Sequence, residues 1–223
     1  MRIRAKFTKL GYLRLLGHLD LMKLLQRAAK RSGVHLVYSQ GFNPTPRLSI
    51  GNPLPLGVSS QAEYLEIETV ESWEPAELLE QINLQLPEGI QLLDAVPVSG
   101  AQPKMQFSEY EIRIPQELLT LQEAMKSAAE LLHCDHFEIL REKRNKKTKR
   151  KEQIPIDIRP LLYQLRVEQV EDFVVLRFIG ASGEAGNLRC DMLLQAFAKL
   201  LGRCIPVEGV YFHRSGQYDQ ILI

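Results

Sequence analysis

The chain has 223 residues, 45% of them apolar, and its 28 Lys/Arg against 27 Asp/Glu leave a net charge of +1. That is enough for one large domain or two small ones with a real hydrophobic core. The N-terminus lacks the apolar stretch of a signal peptide and no run nears the ~20 apolar residues of a membrane span, so a cytoplasmic protein without membrane contact is expected.

Ile3, Ala5 and Phe7 alternate with polar residues and predict a first strand, with a bulge or tight turn at Leu10-Gly11 and strand character again from Tyr12 to Leu16. From Leu19 the period is helical. Leu21, Leu24, Leu25 and Ala28 form one face, Lys23, Arg27, Lys30 and Arg31 the opposite one, and Gly33 is the stop. VHLVY reads as a short strand. SQGFNPTPRLSIGNPLPLG then holds four prolines, which fix φ and push Asn43 and Thr45 towards extended geometry, so the segment is a stiff strap. YLEIETV is a strand with Tyr64 and Glu66 on one face and Leu65 and Ile67 on the other. Pro75 opens a helix with the stripe Leu78, Leu79, Ile82 and Leu86, ended by Pro87-Glu-Gly89, and IQLLDAVPV is a further strand.

The order strand, helix, strand, strand, helix, strand over 1–98 is the ferredoxin-like βαββαβ unit. The second half repeats it: FSEYEIRI, the helix LLTLQEAMKSAAELL, HFEIL, FVVLRFIG, the helix LRCDMLLQAFAKLL between an Asn187 cap and a Gly202 stop, and IPVEGVYFHR. The expected fold is therefore α+β, two tandem ferredoxin-like units over 1–98 and 106–223. They join near SGAQPKM, and a basic insertion at about 142–170 interrupts the second. GASGEAG (180–186) reads as a plain loop, since Glu184 disfavours an anion there.

Charge is segregated along the chain. Residues 1–50 carry ten Lys/Arg against the single Asp20, and residues 51–100 carry nine acids and no Lys or Arg. REKRNKKTKRK, 141–151, holds eight bases and one acid and reads as a mobile loop. Such blocks point to one basic and one acidic face, and a basic face fits a polyanion because phosphate contacts supply affinity without reading bases. Candidate nucleic-acid contacts are Lys23 and Lys30 on the first helix and Lys146, Lys147, Lys149 and Arg150 in the basic run. Tyr12, Tyr38 and Phe42 can stack on bases, though aromatics more often serve the core.

Small-ligand candidates are fewer. His18 and Asp20 open the first helix; Asp20 reads as its cap, and His18 either packs against the strap or works as an acid/base group. Arg27, Arg31, Asn43, Arg47 and Ser49 add anion-binding and polar groups. In IDIRP, Asp157 and Arg159 alternate with Ile156 and Ile158 along an extended strand, as a local pair or as part of a pocket with Arg47, His18 and Asn43. Cys134, Cys190 and Cys204 are widely spaced, which argues for reduced thiols and against a disulfide framework, a CxxC-type metal site or an iron–sulfur cluster held by this chain alone. No cofactor or metal is called for.

GHLDLMKLLQRAAKR, YSQGFNPTPRLSIGNPLPLGVSSQAEYLEIE, LPEGI and IDIRP together resemble the radical-SAM-linked protein family of unknown function. Members of that family sit beside, or are fused to, a B12-binding-type radical SAM protein in bacterial genomes. The resemblance spans most of 1–98 and resumes near 154–160, and it implies a radical SAM protein as partner. Gly17 departs from the serine usual before the motif histidine. The tandem ferredoxin-like reading also resembles CRISPR RNA-processing endoribonucleases, at the level of fold alone. The leading expectation is an RNA-binding accessory protein presenting tRNA or rRNA to a radical SAM modification enzyme. An adaptor docking that partner through the acidic 63–94 stretch is the second. The third is an enzyme using His18, with Arg27, Arg47 and Arg159 holding an anionic substrate.

Overall fold

A computed structural model describes residues 1–100, 104–144 and 150–220. The chain is α+β, with mostly antiparallel strands and, among the described residues, four α-helices. It divides into two compact units. The first takes Met1–Met105 together with Arg214–Asp219, and Gln106–His213 belong to the second.

In the first unit β1 (Arg2–Lys9) turns the inward phase of its alternation, Ile3, Ala5 and Phe7, into core. A 3₁₀ turn at Gly11–Leu15 follows, where strand character was expected. Gly11 has φ 58°, a left-handed conformation that turns the chain out of the extended path. Next comes α1 (His18–Arg31), which buries Leu21, Leu25, Ala28 and Ala29. Burying each leucine contributes about 1.5–3 kcal/mol. VHLVY forms only isolated bridges, Leu36 to Thr69 and Tyr38 to Pro46. The regular second strand is instead β2 (Leu48–Ile50), inside the proline strap, paired antiparallel with β3 (Val58–Glu68). Then follow α2 (Pro75–Asn83), burying Leu78 and Ile82, and β4 (Leu92–Pro97). β1 lies between β3 and β4, antiparallel to both.

The second unit opens with β5 (Phe107–Pro115) and α3 (Leu121–His133). A capping box fixes the start of α3: the Thr120 hydroxyl accepts the Glu123 N–H while the Glu123 carboxylate accepts the Thr120 N–H. HFEIL was expected to be this unit's second strand, with FVVLRFIG its third. Instead β6 (Glu138–Arg144) pairs with β7 (Lys151–Asp157) in a separate two-stranded ribbon. The strand that pairs with β9 (Phe173–Gly183) is β8 (Leu162–Val170), drawn from the expected insertion. Local pairing wins because the run between β6 and β7 is short, so closing that hairpin costs little chain entropy. GASGEAG is likewise a hairpin, β10 (Gly186–Asn187) folding back on Ser182 and Gly183 of β9. The last helix, α4 (Cys190–Leu201), is preceded by Arg189 rather than capped by Asn187, which β10 takes up. Gly202 ends it at φ 65°.

β11 (Tyr211–Tyr218) is shared: Tyr211–His213 belong to the second unit and Arg214–Tyr218 to the first. In the first unit β3 lies between β1 and β2, and in the second β9 lies between β5 and β8, with the β6–β7 ribbon interposed in sequence between α3 and β8.

Candidate nucleic-acid interface

The cationic face of α1 forms as the helical period requires. Lys23, Arg27, Lys30 and Arg31 are all exposed, opposite the buried stripe. The helix begins after Gly17, which offers no side-chain cap, so Asp20 does not cap it. Asp20 is exposed in the first turn, its carboxylate 4.0 Å from the Lys23 ammonium, and His18 stands two residues before it at the helix start. Arg31 donates to the Gln85 carbonyl at 2.8 Å. Lys30 holds its ammonium 5.6 Å from the centre of the Tyr38 ring at the base of the strap.

Arg47 forms an ion pair with Glu68 at 3.0 Å. It shares a cavity of about 250 Å³ with Ser49, Thr45, Pro46, Leu48, Arg2, Glu66 and Glu68. His18 and Asn43 are not among the lining residues. The cavity belongs to a ladder of opposite charges that the antiparallel register builds, since it sets Arg2 opposite Glu68 and Arg4 opposite Glu66. Arg2 and Arg4 both donate to Glu66. Burial pushes the Glu66 carboxyl up, but the two guanidinium groups together hold it below the ordinary carboxylate range. His35 meets Glu71 at 2.7 Å. Arg2, Arg4, Arg47 and His35 of the basic 1–50 block are therefore matched across to Glu66, Glu68 and Glu71 of the acidic 51–100 block, while Glu74, Glu77, Glu80 and Glu88 are exposed. The cationic α1 face stands outside this ladder.

The second basic element is the ribbon. The two ends of REKRNKKTKRK are strand, Arg141–Arg144 in β6 and Lys151 in β7, rather than parts of the mobile loop expected, and Arg150 and Lys151 are exposed. Lys146, Lys147 and Lys149 lie outside the described residues. The ribbon's base is built firmly. Ile139 is buried, Gln195 and Lys199 of α4 donate to the Leu140 and Glu138 carbonyls at 2.9 and 2.7 Å, and Lys199 lies over the Phe137 ring. Asp157 closes the base by accepting the backbone N–H groups of Phe137 (2.9 Å) and Arg159 (3.0 Å) and the His136 ring at 2.9 Å. Those bonds, the Phe137 N–H first, hold the Asp157 carboxyl low, and its carboxylate in turn raises His136. The extended geometry ends here. Ile158 is helical and buried, so Asp157 and Arg159 do not form the expected side-chain pair. The Arg159 guanidinium donates instead to the carbonyls of Leu162 (2.9 Å) and Leu132 (3.3 Å). Towards the tip the register sets two basic residues, Arg144 and Lys151, opposite each other, and the Lys151 ammonium pairs with the Glu142 carboxylate at 2.8 Å.

Sequence reasoning missed a buried charge cluster in the first unit. Arg214 and Glu63, each 1% exposed, form a bidentate ion pair, with Nη2 at 2.7 Å from both carboxylate oxygens. Lys9, also 1% exposed, donates to the carbonyls of Leu16 (2.7 Å) and Arg14 (3.3 Å), and so fixes the turn that leads into α1. Burial lowers the Lys9 pKa, against the pull of Glu63. The signal was present: Lys9 and Glu63 stand in the inward phase of their strands, level with Phe7 and Leu65. Among the described residues no group of three or more His, Cys, Asp or Glu is arranged to hold a metal ion, and no helix is long and apolar enough to cross a membrane.

Fold and surface thus define an α+β protein with a cationic helix face and a basic two-stranded ribbon. The chain belongs to the uncharacterised family conserved in bacteria called DUF2344, whose model matches residues 2–190. No curated protein matches it. Among solved structures it is similar to an unknown protein from Galdieria sulphuraria at 11% identity, TM-score 0.27, covering 96% of both chains. It is also similar to DyPB from Rhodococcus jostii RHA1 at 12% identity, TM-score 0.24, covering 96% of this chain and 92% of that one.

Proposed function

We propose that the protein is an RNA-binding accessory protein, built of two tandem ferredoxin-like units, that presents tRNA or rRNA to a radical SAM modification enzyme. The observation that carries this reading is the ribbon. A run with eight bases and one acid begins and ends in paired strands whose base is pinned to α4, and so dense a run of basic residues suits a phosphate backbone. The exposed cations of α1 add a second such surface in the first unit. The radical SAM partner is supported by the sequence resemblance in the GFNP-containing block and IDIRP. Of the acidic 63–94 stretch, Glu63, Glu66, Glu68 and Glu71 are engaged by a cation or a histidine within their own unit, while Glu74, Glu77, Glu80 and Glu88 are exposed, so docking of a protein partner through that stretch is the second reading.

The test is a salt titration of RNA affinity, comparing wild type with the variant carrying Lys146→Ala, Lys147→Ala, Lys149→Ala and Arg150→Ala. Wild-type affinity should fall steeply with salt. The variant should bind all sequences more weakly, its log–log slope shallower by about 0.7–0.9 for each phosphate that is no longer neutralised. No affinity for RNA even at low salt refutes the reading.

A further inference from the structure

The tip of the strap has a construction that the charge argument leaves unexplained. Ser39 donates its N–H to the Thr45 carbonyl at 2.8 Å, and Thr45 returns its N–H to the Ser39 hydroxyl at 3.0 Å. Just outside this clasp, Tyr38 and Pro46 form a bridge and Arg47 donates its N–H to the Val37 carbonyl at 2.7 Å. Residues 40–44 are thereby closed into a short loop with its ends fixed. Gly41, at φ 128°, makes the turn that only glycine takes easily, and Pro44 stiffens the return.

At the tip stands Phe42, 106% exposed. Single exposed apolar side chains are ordinary on protein surfaces. Here a full aromatic ring is held in water by a loop whose conformational entropy has already been spent, which lowers the cost of binding something against it. The surroundings name the partner's charge. Tyr38, at the loop base, lies under the Lys30 ammonium, so the loop is rooted beside the cationic face of α1, where Arg27 is also exposed. An aromatic ring on a loop rooted at a cationic face can take an unpaired base on the ring and its phosphates on the cations.

We propose that Phe42 is a stacking platform for an unpaired base, with Arg27 and Lys30 holding the adjacent phosphates, so that the first unit selects single-stranded or looped RNA over duplex. This rests on the RNA-binding reading above. The test uses a short fluorescein-labelled single-stranded RNA and the same sequence as a duplex, titrated at low salt against wild type, Phe42→Ala, Phe42→Leu and Phe42→Trp. Phe42→Ala and Phe42→Leu should each weaken single-strand binding about 5- to 150-fold, leaving the duplex and the salt slope unchanged. Phe42→Trp should retain affinity, and its added indole emission should be quenched on binding. Wild type binding neither RNA refutes the RNA reading and the platform with it. Wild-type RNA binding with Phe42→Ala unaffected overturns the platform alone. Phe42→Leu binding like wild type while Phe42→Ala does not also overturns it, since it marks an apolar anchor that suits a protein partner.

Discussion

Replacing Arg214 by Met would strand the Glu63 carboxylate in a site where both partners are 1% exposed. Arg214 gives Glu63 Nε at 3.0 Å and Nη2 at 2.7 Å, and also donates Nη2 to the Asn52 carbonyl at 3.1 Å. Removing one partner of a buried pair costs about 3–5 kcal/mol, most of it the desolvation of the charge left behind. Lys9 remains close enough to Glu63 to be influenced by its charge, which places the expected loss at about 3–4 kcal/mol, in the lower part of that range. With a urea slope near 2 kcal/mol/M, the midpoint should fall by about 1.5–2 M. Trp73 is the chain's single tryptophan and packs against the first unit's core, so its emission during urea unfolding reports that unit alone. Adding Glu63→Gln to Arg214→Met should recover at least half of the loss, because the stranded charge is then gone. A midpoint shift below about 0.5 M for the single variant, or no recovery in the double, refutes the reasoning.

Two further outcomes are expected. Gly89→Ala forces φ 92° on a residue with a Cβ and places that atom 2.8 Å from the Leu10 carbonyl oxygen, so the first unit should lose about 1–3 kcal/mol by the same Trp73 readout; a neutral result shows that the turn relaxes. The raised His136 and lowered Asp157 set a pH window for the ribbon base. The contribution of His136 is full below its unfolded value of about 6.5 and is lost as pH rises through its higher folded value, while that of Asp157 is lost only as pH falls through its depressed one. Wild type should therefore exceed His136→Ala in thermal stability near about pH 5.5 and converge with it in alkali; a difference independent of pH shows that the pair is not ionised as argued.

What the sequence made legible was local. The alternation of Ile3, Ala5 and Phe7, the two faces of α1 and the Gly202 stop each depend on neighbours a few residues away, and each is found in the structure. Pairing across distance was hidden. HFEIL has the composition of a sheet strand, and nothing within it says that its partner is β7 rather than β9. The cross-strand charge pairs were hidden for the same reason: composition along the chain ignores the register that faces Arg4 with Glu66. Arg47 and Ser49 line one cavity, yet the ion pair of Arg47 with Glu68 could not be read from the strap itself. Lys9 and Glu63 were visible as polar residues in an inward phase, but their meaning depended on an arginine far down the chain.

That distance has a consequence for synthesis. Glu63 is separated from Arg214 by 151 positions, so at about 5–20 residues per second the ribosome adds the partner roughly 8–30 s after the carboxylate is made. During that interval the first unit holds an acid that it can neither solvate well nor neutralise fully, and it must stay open or rely on Lys9 alone. Its last strand acts as a seal. A chain halted before Arg214 carries a first half whose buried carboxylate lacks its guanidinium, and its larger unfolded fraction is expected to make it more readily proteolysed than the finished protein.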